Sequence, residues 1–334
     1  MHWKVFQRVF CEPQYIYCFK SLTIQSRAYT SFAYHGDRGP TPWRKPLNAG
    51  VIRIGVSGWT YAPWRGVFYP KGVKREQELA YAASQVRAIE INGTFYGVQS
   101  PNAFERWAEQ VPADFVFAVK GPRYITHILR LRDPLVALAN FTASGVLRLG
   151  AHLGPILWQF PSNFRFDPDR ITPFLKMLPH DTGQAAILGR KHDNKLSAPA
   201  WLDTDVRRPM RHAFEIRHES FRCQAFIDLL RAHDVALVCA DSAAWPRLMD
   251  VTSDFVYCRL HGSQELYASG YDNAALDEWG RRIKAWARGE EPAGAERIGG
   301  KARERNRDVF VFFDNDRKVR APANAMELIR RVRS

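Results

Sequence analysis

From Val51 onward, short runs of β-branched and aromatic residues alternate with longer segments whose apolar residues recur three or four apart. The first pattern suits strands and the second helices, and their regular succession predicts parallel βα units closing into one α/β domain, a TIM-type (β/α)8 barrel. Strands are expected over Val51–Val56, Arg87–Ile91, Phe115–Val119, Pro155–Phe160, Ala213–Ile216, Ala236–Ala240, Phe255–Leu260 and Val309–Phe313. Helices are expected over Arg75–Gln85, Pro101–Gln110, Pro134–Leu149, Pro168–Leu178, Ser220–His233, Asn273–Arg288 and Pro322–Arg333, several with Pro in the first turn. The connection Asp241–Asp254 is too short for an outer helix. Polar insertions at about 181–209, with room for a short extra helix, and at about 290–307 read as surface excursions of the 51–334 barrel.

Residues 1–50 show no sustained period and end in a linker-like Gly/Pro stretch, Gly36–Pro46, so they read as a poorly ordered non-barrel extension. Lys4 and Arg8 lack the apolar core and cleavage site of a secretory signal. The shortage of acids resembles a transit peptide weakly, and a non-native upstream extension explains it equally well. No apolar run approaches the ~18 residues of a membrane span, so no membrane partner is expected. Five scattered cysteines without a CxxC pair fit a reduced, cytoplasmic setting, with Cys239 and Cys258 inside apolar strands. The net charge of +14 suggests nucleic acid, but residues 1–50 and 281–334 supply +12 of it and the body only +2. Nucleic acid is therefore a candidate partner of the basic termini alone, where a solvated face is the plainer reading.

Active sites of this barrel lie at the carboxyl ends of the strands. Those ends supply Ser57, Trp59 and Tyr61, then Glu90 and Asn92, Lys120, Gln159, the trio Glu215, Arg217 and His218, Asp241, Arg259 and His261, and Asp314 and Asn315. Residues two apart share a strand face, so Glu90 with Asn92, Glu215 with Arg217, and Arg259 with His261 should all look into the barrel, with apolar neighbours facing the helices. Charges there must satisfy one another or meet a ligand. The bland reading is an ion-pair plug. The functional one is a pocket in which Lys120, Arg217 and Arg259 clamp an anion while Glu90, Glu215, Asp241, His261 or His127 moves a proton. Aromatic residues of the first loops, among them Trp59, Tyr61 and Tyr96, could stack on a flat ligand or simply fill a hydrophobic plug. The sequence requires no cofactor, yet Glu90, Glu215 and His261 could hold a divalent metal, although no HExxH-like spacing supports one. Lys120 could also form a Schiff base.

The stretches GVSGWTYAPWRGVFY (Gly55–Tyr69), EINGTFY (Glu90–Tyr96), FAVKGPRYITH (Phe117–His127), ILWQFP (Ile156–Pro161), FEIRHESF (Phe214–Phe221), YCRLHG (Tyr257–Gly262) and VFFDN (Val311–Asn315) closely resemble, in order, the domain-of-unknown-function 72 or YecE-like family. The resemblance implies a TIM-type barrel with a shared pocket but no defined activity. That family tends to carry Asn where Asp314 stands, which puts a metal or base role there in doubt.

The leading expectation is an enzyme, a hydrolase or lyase, acting on a phosphate- or carboxylate-bearing small molecule or sugar derivative. Tyr61, Asn92, Tyr96, Gln159, His218 and Asn315 would help to bind the substrate. A metal-dependent phosphodiesterase or endonuclease and a non-catalytic metabolite-binding protein are the alternatives.

Overall fold

The computed structural model describes residues 49–333 apart from 263–265, 267–268 and 317–318, so nearly all of the expected extension at 1–50 lies outside the described residues. Eight parallel strands close in sequence order: β1 (Ile52–Ser57), β2 (Ala88–Ile91), β3 (Val116–Lys120), β4 (Leu153–Gln159), β5 (His212–Glu215), β6 (Ala236–Asp241), β7 (Phe255–Leu260) and β8 (Asp308–Phe313). Each lies within two residues of its expected place, and β8 pairs with β1 to complete the barrel. Among the described helices are α1 (Glu78–Gln85), α2 (Gly93–Tyr96), α3 (Pro101–Glu109), α4 (Leu135–Ala143), α5 (Pro168–Met177), α6 (Thr182–Gly189), α7 (Gln224–Ala232), α8 (Asn273–Ala287) and α9 (Ala321–Arg333).

Local chemistry explains the boundaries. Pro101 and Pro168 open α3 and α5, where a missing N–H costs no intrahelical bond, and the side chains of Asp167 and Asp272 accept the Arg170 and Ala275 N–H groups as N-caps. The helix expected over Pro134–Leu149 instead breaks after Ala143, because Gly145 adopts φ 109° and starts a tighter turn over Val146–His152. A Cβ at Gly145 would also lie 2.4 Å from the Pro101 Cα. Likewise the helix expected from Ser220 begins at Gln224, after a short turn over Glu219–Phe221 that His218 caps. The segment 181–209 contains α6, which packs on α4. The segment 290–307 carries neither helix nor strand and is pinned where the Asp250 carboxylate accepts the Ile298 and Gly299 N–H groups.

Period two divides the strands into two apolar layers. Ile89, Ile91, Val119, Trp158, Phe214, Cys258, Leu260 and Phe313 join the helices in the outer core. Ala88, Ala118, Ala213, Ala236 and Ala240 face inward with Phe255, Tyr257, Phe310 and Phe312, so large rings from β7 and β8 fill the space left by small residues on the other strands. Trp158, fully buried between Phe141 and Phe174, is typical of the outer layer, where such a side chain contributes roughly 1.5–3 kcal/mol. The interior is thus packed shut below the strand ends, and polar chemistry is left to its upper layer.

Candidate active site

The inward side chains at the upper end converge on one guanidinium. Arg259 is 1% exposed; its Nε and Nη2 donate to the two oxygens of Glu90 at 3.0 and 2.8 Å, Nη1 donates to Glu215 at 2.6 Å, and Nη2 also reaches Asp314 at 2.9 Å. Glu90 accepts further bonds from the Ser57 hydroxyl at 3.1 Å and the Tyr257 hydroxyl at 2.6 Å. Glu215 is completed by the Gln159 amide at 2.9 Å and by Arg217 Nε at 2.8 Å. His261 Nδ1 lies 3.2 Å from Asp314. Burial would raise the Glu215 and Asp314 carboxyls, but Arg259, aided by Arg217 at Glu215 and by His261 at both, holds both below the usual carboxylate range. Arg259 is held well above its ordinary value by the same carboxylates against the opposing effect of burial.

This plug realises the ion-pair arrangement weighed from the sequence, and it changes several assignments. Arg259 cannot serve as an anion clamp with its donors already committed to three carboxylates. Glu90 and Glu215 have their lone pairs occupied in the same way. Nor does the donor set suit a metal: the guanidinium lies where an ion bridging Glu90 and Glu215 would sit, and among the described residues no three of His, Cys, Asp and Glu are grouped to hold one.

A second group lies around the end of β3. Lys120 is 8% exposed, and its Nζ lies 4.1 Å above the centre of the Phe95 ring. Among the described residues no carboxylate comes within 4.0 Å of it. Burial, then Arg259, lower its pKa to about 8 against the pull of Glu90, Glu215 and Asp314. His127, on a wide helical turn over Tyr124–Ile128, packs edge-on against the same Phe95 ring at 5.1 Å and shares a hydrogen bond of 2.9 Å with Thr126. Burial followed by Lys120, Arg217 and Arg123 brings His127 down to about 4. Arg217 stacks on the Trp245 ring at 3.7 Å, and the edge of that ring also meets His261 at 5.1 Å. Tyr61 donates to the Ser57 carbonyl at 2.7 Å and interacts with Asn92, while Tyr96 is 74% exposed on the rim.

Four expected site residues lie elsewhere. Asp241 faces outward, because the inward positions of β6 are Ala236, Val238 and Ala240; it accepts from Tyr271 Oη at 2.9 Å and Arg247 at 3.1 Å. Asn315 has the same wrong parity on β8 and fastens the Ser269 carbonyl and the Asn324 side chain. His218 is a cap, accepting the Ser220 N–H at 3.0 Å. Trp59 packs against Trp107 and Phe117 in the outer core. Conversely, Ser57 and Asp314 were placed at the strand ends without a role, and Tyr257 and Trp245 were not expected there; the first three join the Arg259 plug. Alternation along β7 and β8 marks Tyr257 and Asp314, since Tyr257, Arg259 and His261 share one face and Phe310, Phe312 and Asp314 another. Only the helix-free loop after β6 hinted at Trp245.

A closed eight-stranded parallel barrel with this polar upper layer defines a TIM-type barrel protein. Residues 53–334 match the model of the family described as protein of unknown function DUF72, and the chain belongs to that family. It is 31% identical over 134 residues to the UPF0759 protein YecE of Escherichia coli strain K12, covering 35% of this chain and 47% of YecE. It is 25% identical over 138 residues to the UPF0759 protein YunF of Bacillus subtilis strain 168, covering 40% of this chain and 48% of YunF. The chain thus spans about half the length of the curated relatives it matches. A DUF72 family protein from Thermotoga maritima superposes with a TM-score of 0.64 at 24% identity, over 85% of this chain and all of the other. One from Enterococcus faecalis does so with 0.58 at 15% identity, over 85% and 96%. These two likenesses bear on the fold. Among the described residues no helix is long and apolar enough to cross a membrane.

Proposed function

We propose that the protein is an enzyme acting on a small phosphate- or carboxylate-bearing molecule, bound on the β3–β5 side of the mouth. Lys120 and Arg217 meet the anionic group, Arg123 stands at the rim, and His127 moves the proton. The carboxylates Glu90, Glu215 and Asp314 hold Arg259 rather than acting as bases. One observation carries this reading: the Lys120 ammonium and the His127 imidazole both pack on the Phe95 ring, at 4.1 and 5.1 Å, and among the described residues Lys120 has no carboxylate within 4.0 Å, while Lys120, Arg217 and Arg123 all oppose protonation of the imidazole. An anion arriving there would be favoured, and by relieving the positive field it would raise the affinity of the neutral imidazole for a proton from the bound substrate.

Nuclear magnetic resonance titration of the His127 ring tests it directly. Without ligand the ring should titrate near 4, and inorganic phosphate should raise that value by relieving the positive field. Lys120→Met and Arg217→Ala should each weaken the phosphate response. A ring that titrates near the ordinary ~6.5 and ignores both phosphate and small carboxylates would overturn the proposal.

A further inference from the structure

We propose that Lys120 is a carbonyl-capturing amine, forming an imine with an aldehyde or ketone that also carries the anionic group. This deepens the functional reading above and rests on it. The geometry supplies three requirements of such a site. First, Lys120 is 8% exposed at the barrel mouth, and among the described residues its Nζ contacts the Phe95 ring and has no carboxylate within 4.0 Å. A lysine meant merely to neutralise charge would be expected to reach one of the nearby carboxylates; here Arg259 occupies them instead. Second, the backbone is fixed. The Thr94 hydroxyl donates to the Lys120 carbonyl at 2.6 Å, and the next residue, Gly121, lies so close to Trp158 that a Cβ would come within 2.4 Å of its ring. The amine therefore projects from a rigid strand end. Third, His127 packs on the same Phe95 ring as Lys120, so an unprotonated imidazole is available in the same part of the mouth.

The step balances without any co-reactant. The uncharged amine attacks the carbonyl carbon, a C–N bond forms as the C=O π bond opens, and His127 carries the first of the two nitrogen protons to the oxygen to give a neutral carbinolamine. His127 then takes the second proton from nitrogen and delivers it to the departing hydroxyl. Water leaves, and the C=N bond replaces C=O. The anionic substituent lies toward Arg217 and Arg123. A lysine near pKa 8 carries on the order of a hundred times more free amine around neutral pH than an ordinary surface lysine.

Reductive trapping provides the test. Purified protein is incubated with glyoxylate or glycolaldehyde phosphate and cyanoborohydride, and the alkylated lysines are located and timed by peptide mass spectrometry. Lys120 should be modified at least about tenfold faster than exposed Lys71 and Lys74 in the same molecule, a comparison that needs no variant to fold. Arg217→Ala should slow capture of the anionic aldehydes but not of propionaldehyde, and His127→Asn should slow both. Modification of Lys120 no faster than of Lys71 and Lys74 overturns the imine. If phosphate still raises the His127 pKa in that case, the anion-binding reading survives; if it does not, both fall.

Discussion

Replacing Arg259 by Met removes the cation shared by Glu90, Glu215 and Asp314 while keeping most of the apolar stem. In the native mouth these three carboxylates face Arg259, Arg217 and Lys120. The variant therefore has one surplus negative charge, and folding must either bury it or take up a proton. Removing one partner of a buried pair costs roughly 3–5 kcal/mol. Protonation sets a ceiling near the same size, because neutralising one Glu at about pH 7.5 costs about 4 kcal/mol. That ceiling drops to about 1.6 kcal/mol at about pH 5.5. The sign follows from the native groups. Glu215 and Asp314 have folded-state pKa values lowered below their unfolded ones, so their contribution is lost only as pH falls through those low values, and it is flat across this window. The variant should instead lose up to about 1.4 kcal/mol for each unit that the pH rises. Urea unfolding followed by tryptophan fluorescence would measure the gap between the two proteins. A gap below about 1 kcal/mol, or one that does not change between these pH values, would refute the claim that the plug is held by this one cation.

Two further outcomes follow. Asp241→Asn should leave the capture rate at Lys120 within about twofold of the native protein while lowering stability by about 1–3 kcal/mol through Tyr271 and Arg247; a large loss of capture with intact stability would return Asp241 to the site. His212 is buried, accepting from Trp158 Nε1 at 3.1 Å and bonded through Nε2 to the Pro179 carbonyl at 2.8 Å, and burial lowers it to about 4. The unfolded chain therefore binds this proton first, and stability should fall by up to about 3 kcal/mol as pH drops from 6.5 toward 4. Unfolding curves of His212→Asn should lack that part of the slope, and an unchanged slope would count against the assignment.

The barrel was legible because each of its strands is a short run bounded by turns, and period-two patterning separates helix-facing from axis-facing residues. Glu90, Glu215 and Arg259 followed from the same rule. The errors at Asp241 and Asn315 arose from treating every polar residue at a strand end as inward, where strict parity along β6 and β8 excludes both and selects Asp314. Parity cannot say which of several inward cations will be consumed by neighbouring acids, so the opposite fates of Arg259 and Lys120 were hidden. That choice depends on side-chain reach across the barrel. Helix ends suffered where a local conformation, such as the left-handed Gly145, overrode a continuous apolar period.

The bonds from Arg259 to its carboxylates join residues as far apart as 169 positions in the chain. Glu90 comes early in the sequence, yet its counter-charge resides on the seventh strand and its neighbour Asp314 just beyond the eighth. Until those late segments arrive, the acids of the early strands favour remaining hydrated, and a partial barrel has an electrostatic reason to stay open at the top. Closure of the sheet and neutralisation of its summit are thereby coupled in the native fold, with Arg259 as the clasp between strands distant in the chain.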